Sequence, residues 1–197
     1  MVHLQATETH ADQRDGPVKV KILAISGSVR KDSTNSALLR AAQQAATQDL
    51  ELMLYEGMGA LLIFSPDLTD PLPPSAAELR KALQACDGLL IAAPEYAHGV
   101  PGGLKNLLDW VVGWGELAEM PVALWHASVY GEHAKAALAE ILKTMSMRMV
   151  PEAALTLHLR GKKPAEMAPI LADAGTRKTL QDTLSVFAGA IQARPRP

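Results

Sequence analysis

The chain has very little cysteine and almost no net charge, and each shortage excludes certain kinds of site or classes of protein. A single cysteine, Cys86, among 197 residues excludes an internal disulfide bond and a metal cluster held by several thiolates. We interpret it as a small, buried, apolar residue. The net charge of −2 provides neither the basic surface of a nucleic-acid-binding protein nor the strongly acidic surface of an electron carrier.

Long apolar runs and targeting signals are also missing. No run approaches the ~20 residues that span a bilayer, and the N-terminus lacks the pattern of a secretory signal. We therefore expect a cytoplasmic protein with neither a membrane nor a nucleic-acid partner. Residues 1–16 are polar and lack apolar periodicity, which predicts a disordered arm before a single domain over residues 17–193.

Groupings of catalytic side chains are absent as well. The chain has no His–Asp–Ser or His–Cys spacing, no paired-histidine metal motif and no adjacent acidic cluster of the kind that holds Mg²⁺. His98, His126 and His158 are scattered along the sequence. We therefore predict neither a metal site nor a catalytic side chain. This shortage is typical of redox enzymes, because an organic cofactor carries out the hydride and electron transfer.

Apolar patterning predicts alternating strands and helices. The predicted strands cover residues 19–25, 51–55, 87–94, 121–126 and 153–158. The predicted helices cover about 36–45, 75–85, 101–113, 131–147 and 173–192, the second opening on a capping box of Ser75 and Glu78. Residues 57–74 are interpreted as an ordered loop, and residues 159–172 as a polar linker. This alternation predicts a flavodoxin-like three-layer α/β/α fold with five parallel strands in the order 2-1-3-4-5. Its ligand crevice lies at the carboxyl ends of strands 1 and 3.

The first loop, residues 26–35, joins the first strand to the first helix and is rich in small polar residues. Such a loop points backbone N–H groups and the positive end of a helix dipole at one place, which suits a phosphate. The alternative is that one hydroxyl or amide side chain simply caps the helix. Neither the P-loop nor the Rossmann dinucleotide spacing is present. The candidate ligands are Ser26, Ser28, Arg30, Ser33, Thr34 and Asn35.

The second loop, residues 94–103, would lie beside the first in this topology, and the two together resemble a known family. Gly27-Ser-x-Arg-x-x-Ser-x-Asn35 is similar to the FMN phosphate loop of the NADPH-dependent FMN reductases. Pro94-Glu-Tyr-x-x-x-x-Pro-Gly-x-Leu-Lys-Asn-x-x-Asp-Trp110 resembles that family's isoalloxazine loop and following helix, and Phe64-Ser-Pro-Asp-Leu68 is also family-like. The resemblance implies FMN and NADPH as cofactors. It also implies that Ser28, Arg30, Ser33 and Asn35 hold the phosphate, and that Pro94, Glu95 and Tyr96 contact the flavin. His98 is a further candidate, because it lies in the same loop.

The third loop, residues 127–133, departs from the family pattern. Where the family usually has a glycine-rich turn against the flavin, this chain has Ala-Ser-Val-Tyr-Gly-Glu-His. Tyr130 can stack on a ring and Ser128 can donate to a flavin carbonyl. The alternative is that Tyr130 serves as a lid or an interface residue and that His133 is solvated.

These features together predict an FMN-dependent oxidoreductase. Electrons would pass from NADPH through FMN to a quinone, flavin, azo or metal-oxyanion acceptor. The alternatives are a flavodoxin-like electron carrier without enzymatic activity and an FMN-binding module without turnover. We also predict a homodimer or homotetramer. Its interface would use an outward stripe on the helix over residues 101–113, namely Gly103, Asn106, Trp110 and Trp114.

Overall fold

A parallel sheet runs through the computed structural model, which describes residues 19–193. Its order is β2-β1-β3-β4-β5, as the sequence predicted, and a further short strand, β6, also pairs with β4. Every pairing is parallel. The strands are β1 (Val20–Ser26), β2 (Leu50–Tyr55), β3 (Gly88–Ala92), β4 (Pro121–His126), β5 (Arg148–Met149) and β6 (Leu155–Thr156).

Helices cover both faces of the sheet. They are α1 (Thr34–Ala45), α2 (Pro74–Gln84), α3 (Gly102–Val111), α4 (Glu132–Thr144), α5 (Pro164–Ala172) and α6 (Ala174–Gln192). One apolar core lies between the sheet and helices α1, α5 and α6. A second lies between the sheet and helices α2, α3 and α4. Because β1, β3 and β4 are buried on both faces, their sequences are almost continuously apolar. The predicted three-layer flavodoxin-like fold is thus confirmed.

The fifth strand differs from the prediction. Within residues 153–158 only β6 forms, and it pairs with the end of β4, whereas β5 precedes the predicted range and pairs with the start of β4. A 3₁₀ turn, Pro151–Ala153, separates them. Proline has no N–H to donate to a ladder, so Pro151 interrupts the strand at this point.

Two helix predictions also need correction. The segment interpreted as a polar linker contains α5, because Pro164 occupies the first helical turn, where its missing N–H costs nothing. Met167 anchors this helix in the core. Helix α2 begins at Pro74, one residue before the predicted start, and no side chain caps it, so the capping box at Ser75 is wrong.

The predicted exposed stripe on α3 is largely covered. Trp110 is only 2% exposed, and its ring packs edge-on against Phe64 with the ring centroids 5.2 Å apart. Its Nε1 donates to the carbonyl of Leu62 at 2.8 Å, and the amide of Asn106 bonds to the same segment. Trp114 is half-buried beneath the guanidinium of Arg80, 5.5 Å from its ring centroid. A loop of the same chain therefore covers Trp110, which the sequence had placed in an intersubunit surface.

Cys86 is buried, as expected. Its Sγ lies 3.2 Å from the carbonyl of Leu83, to which it donates. Burial raises the pKa of this thiol to about 12. The predicted arm over residues 1–16 lies outside the described residues. Among the residues described, no helix is long and apolar enough to cross a membrane.

Candidate flavin site

The first and second loops meet directly at the carboxyl ends of β1 and β3. The N–H of Gly27 donates to the carbonyl of Ala92 at 2.7 Å. A Cβ at position 27 would lie 2.8 Å from the Cβ of Ala93, closer than real Cβ atoms approach. Glycine is therefore required for the first loop to pass this close to the end of β3, where the second loop begins. The crevice expected at the point where the winding reverses is present.

Hydroxyl groups organise the first loop from within. Ser33 is the N-cap of α1, and its Oγ accepts from the N–H of Ser36 at 3.3 Å. Ser36 in turn donates its Oγ–H to Ser26 Oγ at 2.7 Å. The capping interpretation is thus confirmed for Ser33, and Ser26 forms an internal bond. Ser28 Oγ accepts from the N–H of Arg30 at 3.3 Å.

The second loop is held by a tight turn and by a bond to α4. Tyr96 and Gly99 exchange both backbone hydrogen bonds, at 3.1 and 2.9 Å. Glu95 Oε2 accepts from the N–H of Ala134 at 2.8 Å. The N-cap residue of α4 is Gly131, which has no side chain to cap the helix, so Glu95 supplies the cap from another loop. The tyrosine hydroxyl lies 3.4 Å from Ser28 Oγ and links the second loop to the first.

The third loop is fastened to the first by Asn35. The side chain of Asn35 is 3% exposed, and its Oδ1 accepts from the N–H of Ala127 at 3.3 Å. Ser128 Oγ accepts from the N–H of Tyr130 at 3.1 Å, which shapes the turn. The ring of Tyr130 is 63% exposed, and the guanidinium of Arg160 lies 5.2 Å from its centroid.

The three loops enclose an open cavity of about 370 Å³. Of the residues predicted from the sequence, all but Ser26 and His98 line it. Ser26 lies in a neighbouring cavity of about 250 Å³ on the β2 side of the first loop. His98 packs its ring against His133, with the centroids 4.5 Å apart. The predicted residues in the wall are Ser28, Arg30, Ser33, Thr34, Asn35, Pro94, Glu95, Tyr96, Ser128 and Tyr130.

The sequence did not single out two charged or titratable residues of this cavity. His126 ends β4, so its place at the carboxyl edge of the sheet could have suggested it. Arg160 follows β6 in a segment without a motif, and nothing in the sequence indicated it. Burial and the nearby Lys135 lower the pKa of His126 to about 4, although a hydrogen bond with the backbone of Ala93 opposes this shift. His126 is therefore neutral at pH 7.

The cavity has the chemistry of an anion-binding site rather than a metal site. Arg30 and Arg160 supply guanidinium groups, and the first loop supplies hydroxyl groups and the start of α1. Within residues 19–193, no group of three His, Cys, Asp or Glu side chains could hold a metal ion. Glu95 is the one carboxylate among the lining residues, and it already caps α4.

Comparison with known proteins decides the family. The model of the NADPH-dependent FMN reductases matches residues 20–162, which contain the sheet and all three loops. The chain belongs to this family. Family membership makes it a flavin-dependent NAD(P)H oxidoreductase whose cofactors are FMN and NAD(P)H, as the resemblance implied.

Individual relatives agree with this assignment. The chain is 33% identical to a 2-hydroxy-1,4-benzoquinone reductase from a Burkholderia species, over 72% of this chain and 69% of that protein. It is 35% identical to a probable NADPH:quinone oxidoreductase 2 from Oryza sativa subsp. japonica, and that match spans 48% of each chain, about half the length of the relative. The flavoenzyme FerB, an NAD(P)H:(acceptor) oxidoreductase from Paracoccus denitrificans, superposes with a TM-score of 0.74 at 26% identity. That superposition covers 88% of this chain and 97% of FerB.

Proposed function

We propose that the chain passes electrons from NADPH, through FMN in the cavity between the three loops, to a quinone. Free flavin, azo compounds and metal oxyanions are further acceptors of the same kind. The observation that carries this proposal is the convergence of the first and second loops on one cavity at the carboxyl ends of β1 and β3. The quinone reductases among the relatives support a quinone as the acceptor.

The residues present fit FMN in their donor chemistry. Among the lining residues, Ser28, Arg30 and Thr34 can donate to a phosphate beside the start of α1. Pro94 and Tyr96 of the second loop can border a planar ring, and Ser128 and Tyr130 can border it from the third loop. FMN supplies the hydride and electron transfer when it is bound. The protein holds the phosphate, orients the ring and leaves one side open to solvent.

A visible spectrum and a turnover assay test the proposal. The purified protein should show flavin absorption bands, and heat should release FMN rather than FAD, because the first loop suits a terminal phosphate. Steady-state oxidation of NADPH with menadione as acceptor should show parallel double-reciprocal lines, because donor and acceptor use the same open side in turn. A protein that stays colourless and gains no thermal stability from added FMN would refute the proposal. Flavin binding without turnover would instead favour a carrier or a binding module.

We also propose a homodimer, built on a surface different from the expected stripe. Leu62 and Ile63, 52% and 85% exposed, lie in the segment held against α3, and Val112 at the end of α3 is 56% exposed. These apolar side chains suit close contact with a second copy. Changing Ile63 and Val112 together to serine should shift sedimentation towards the monomer, with Leu68→Ser as the control. Unchanged sedimentation would place the interface elsewhere. The cytoplasmic location remains a prediction, which cell fractionation would check.

A further inference from the structure

The backbone around Arg160 is fixed although its side chain is exposed. The preceding residue, Leu159, is fully buried, and its N–H donates to the carbonyl of Ala127 at 3.1 Å. The following residue, Gly161, has a left-handed φ of +77°, a conformation that favours glycine. Arg160 therefore projects from a defined point on the edge of the cavity.

That point is close to the start of α1. The N–H of Ala127 donates to Asn35, and the carbonyl of Ala127 accepts from Leu159. Ala127 thus links Asn35, in the first turn of α1, to Leu159, the residue before Arg160. The cavity wall accordingly contains Arg160 together with Ser33 and Thr34. Arg30, from the first loop, lines the same cavity.

The guanidinium of Arg160 has no acidic partner within residues 19–193. Its contact is the face of the Tyr130 ring, which orients the cation without neutralising it. Glu95, the carboxylate of this cavity, is occupied by its bond to α4. Neither Arg30 nor Arg160 forms an ion pair with a carboxylate in the described part of the chain, so both guanidinium groups are available to a phosphate dianion.

We propose that Arg160 is a second phosphate-binding arginine, which binds the FMN phosphate together with Arg30 and is held in place by Tyr130. This inference rests on the proposed function, because it requires FMN in the cavity. It also gives the third loop a role. Tyr130 supplies the ring that positions Arg160, in the loop where the family's glycine-rich turn is absent.

Flavins with and without a phosphate test this role directly. Apoprotein of the parent and of Arg160→Ala should be titrated with FMN and with riboflavin, following the quenching of flavin fluorescence. Loss of a charged hydrogen bond should weaken FMN binding by roughly 10-fold or more. Riboflavin, which has no phosphate, should bind both proteins equally. Lys162→Ala is the matched control. It also removes one positive charge, two residues from Arg160, but Lys162 does not line the cavity.

Tyr130 provides a second, independent variant. Tyr130→Phe keeps the ring face and should keep FMN affinity, whereas Tyr130→Leu removes it and should weaken FMN binding by a larger factor than riboflavin binding. Equal losses for both flavins in Arg160→Ala would show a general packing role and overturn the inference. Unchanged FMN affinity in Arg160→Ala would overturn it as well. A parent protein that binds neither flavin would overturn the proposed function, and this inference with it.

Discussion

The buried residues of the cavity, which form its floor, differ from the exposed residues, which form its rim. On the floor, Ser33 and Asn35 are 4% and 3% exposed, and each makes a hydrogen bond that fixes backbone of the first or third loop. On the rim, the rings of Tyr96 and Tyr130 are 53% and 63% exposed. Buried polar groups with satisfied partners hold one arrangement, whereas exposed side chains move at little cost.

This difference separates two tasks. A preorganised floor can retain a cofactor through many turnovers, because its donors need not be ordered when the cofactor binds. An exposed rim can admit acceptors of different shapes. We therefore expect floor substitutions to change the stability of the apoprotein, and substitutions of exposed residues to change the binding of flavin or acceptor while leaving that stability unchanged. The following predictions test this separation, in order of decreasing effect.

Arg30→Ala should give the largest change. Removing a guanidinium that binds a phosphate dianion costs roughly 1.5–3 kcal/mol, which is about 10- to 150-fold in FMN affinity. The side chain is exposed, so the fold should survive. Calorimetric titration of the apoprotein with FMN measures the effect, with Lys81→Ala on α2 as the control. Unchanged affinity would assign the first loop a capping role only.

Asn35→Leu should reduce the stability of the apoprotein itself. It leaves the buried N–H of Ala127 without an acceptor, a loss of roughly 1–3 kcal/mol in the free energy of unfolding. Asn35→Asp keeps the acceptor oxygen, so it should keep most of this stability, while its added negative charge should repel the FMN phosphate. Urea unfolding and FMN titration of both variants separate the two effects. Equal stability of Asn35→Leu and the parent would contradict the role given to this bond.

Glu95→Ala should lower the stability of the apoprotein, because it breaks a contact between the second loop and α4. It removes the cap that Ala134 receives from the second loop, which costs roughly 0.5–2 kcal/mol in unfolding free energy. Glu95→Gln keeps an acceptor oxygen and should lose less. Urea unfolding of the apoprotein measures both. If alanine and glutamine cost the same, the hydrogen bond to Ala134 is not what stabilises α4.

The pH dependence of stability should show the smallest effect, through His126. Its pKa is lowered to about 4 in the folded protein, against about 6.5 when unfolded, so between these values the unfolded chain binds more protons. Stability from this group is complete above about pH 6.5 and is lost as the pH falls towards 4. Because the ring is partly exposed, we expect less than about 1 kcal/mol. His126→Gln should flatten the stability profile over this range. Parallel profiles for His126→Gln and the parent would refute the assignment.

The sequence predicted those features that depend on residues close together in the chain. Apolar runs indicated β1, β3 and β4, and the two spaced motifs identified the first and second loops that line the cavity. Whether the lining residues contact FMN remains a prediction. The strand order could be predicted because alternating strands and helices allow few arrangements in which every crossover is right-handed.

Features that depend on distant segments could not be predicted in this way. Trp110 is covered by residues more than forty positions earlier, and no local pattern indicates such docking. Glu95 caps a helix that begins well after it, so its carboxylate is committed before any ligand binds. Arg160 reaches the cavity only because Leu159 bonds to the backbone of Ala127. In each case the missing information is a tertiary contact.

The burial of Cys86 has a practical consequence for an enzyme of this chemistry. Reduced flavins react with oxygen, so such a protein works next to a source of peroxide. Peroxide attacks the thiolate, and a buried thiol with a pKa of about 12 is neither ionised nor accessible at neutral pH. Turnover in air should therefore leave the thiol reduced, and the protein should store without added reductant.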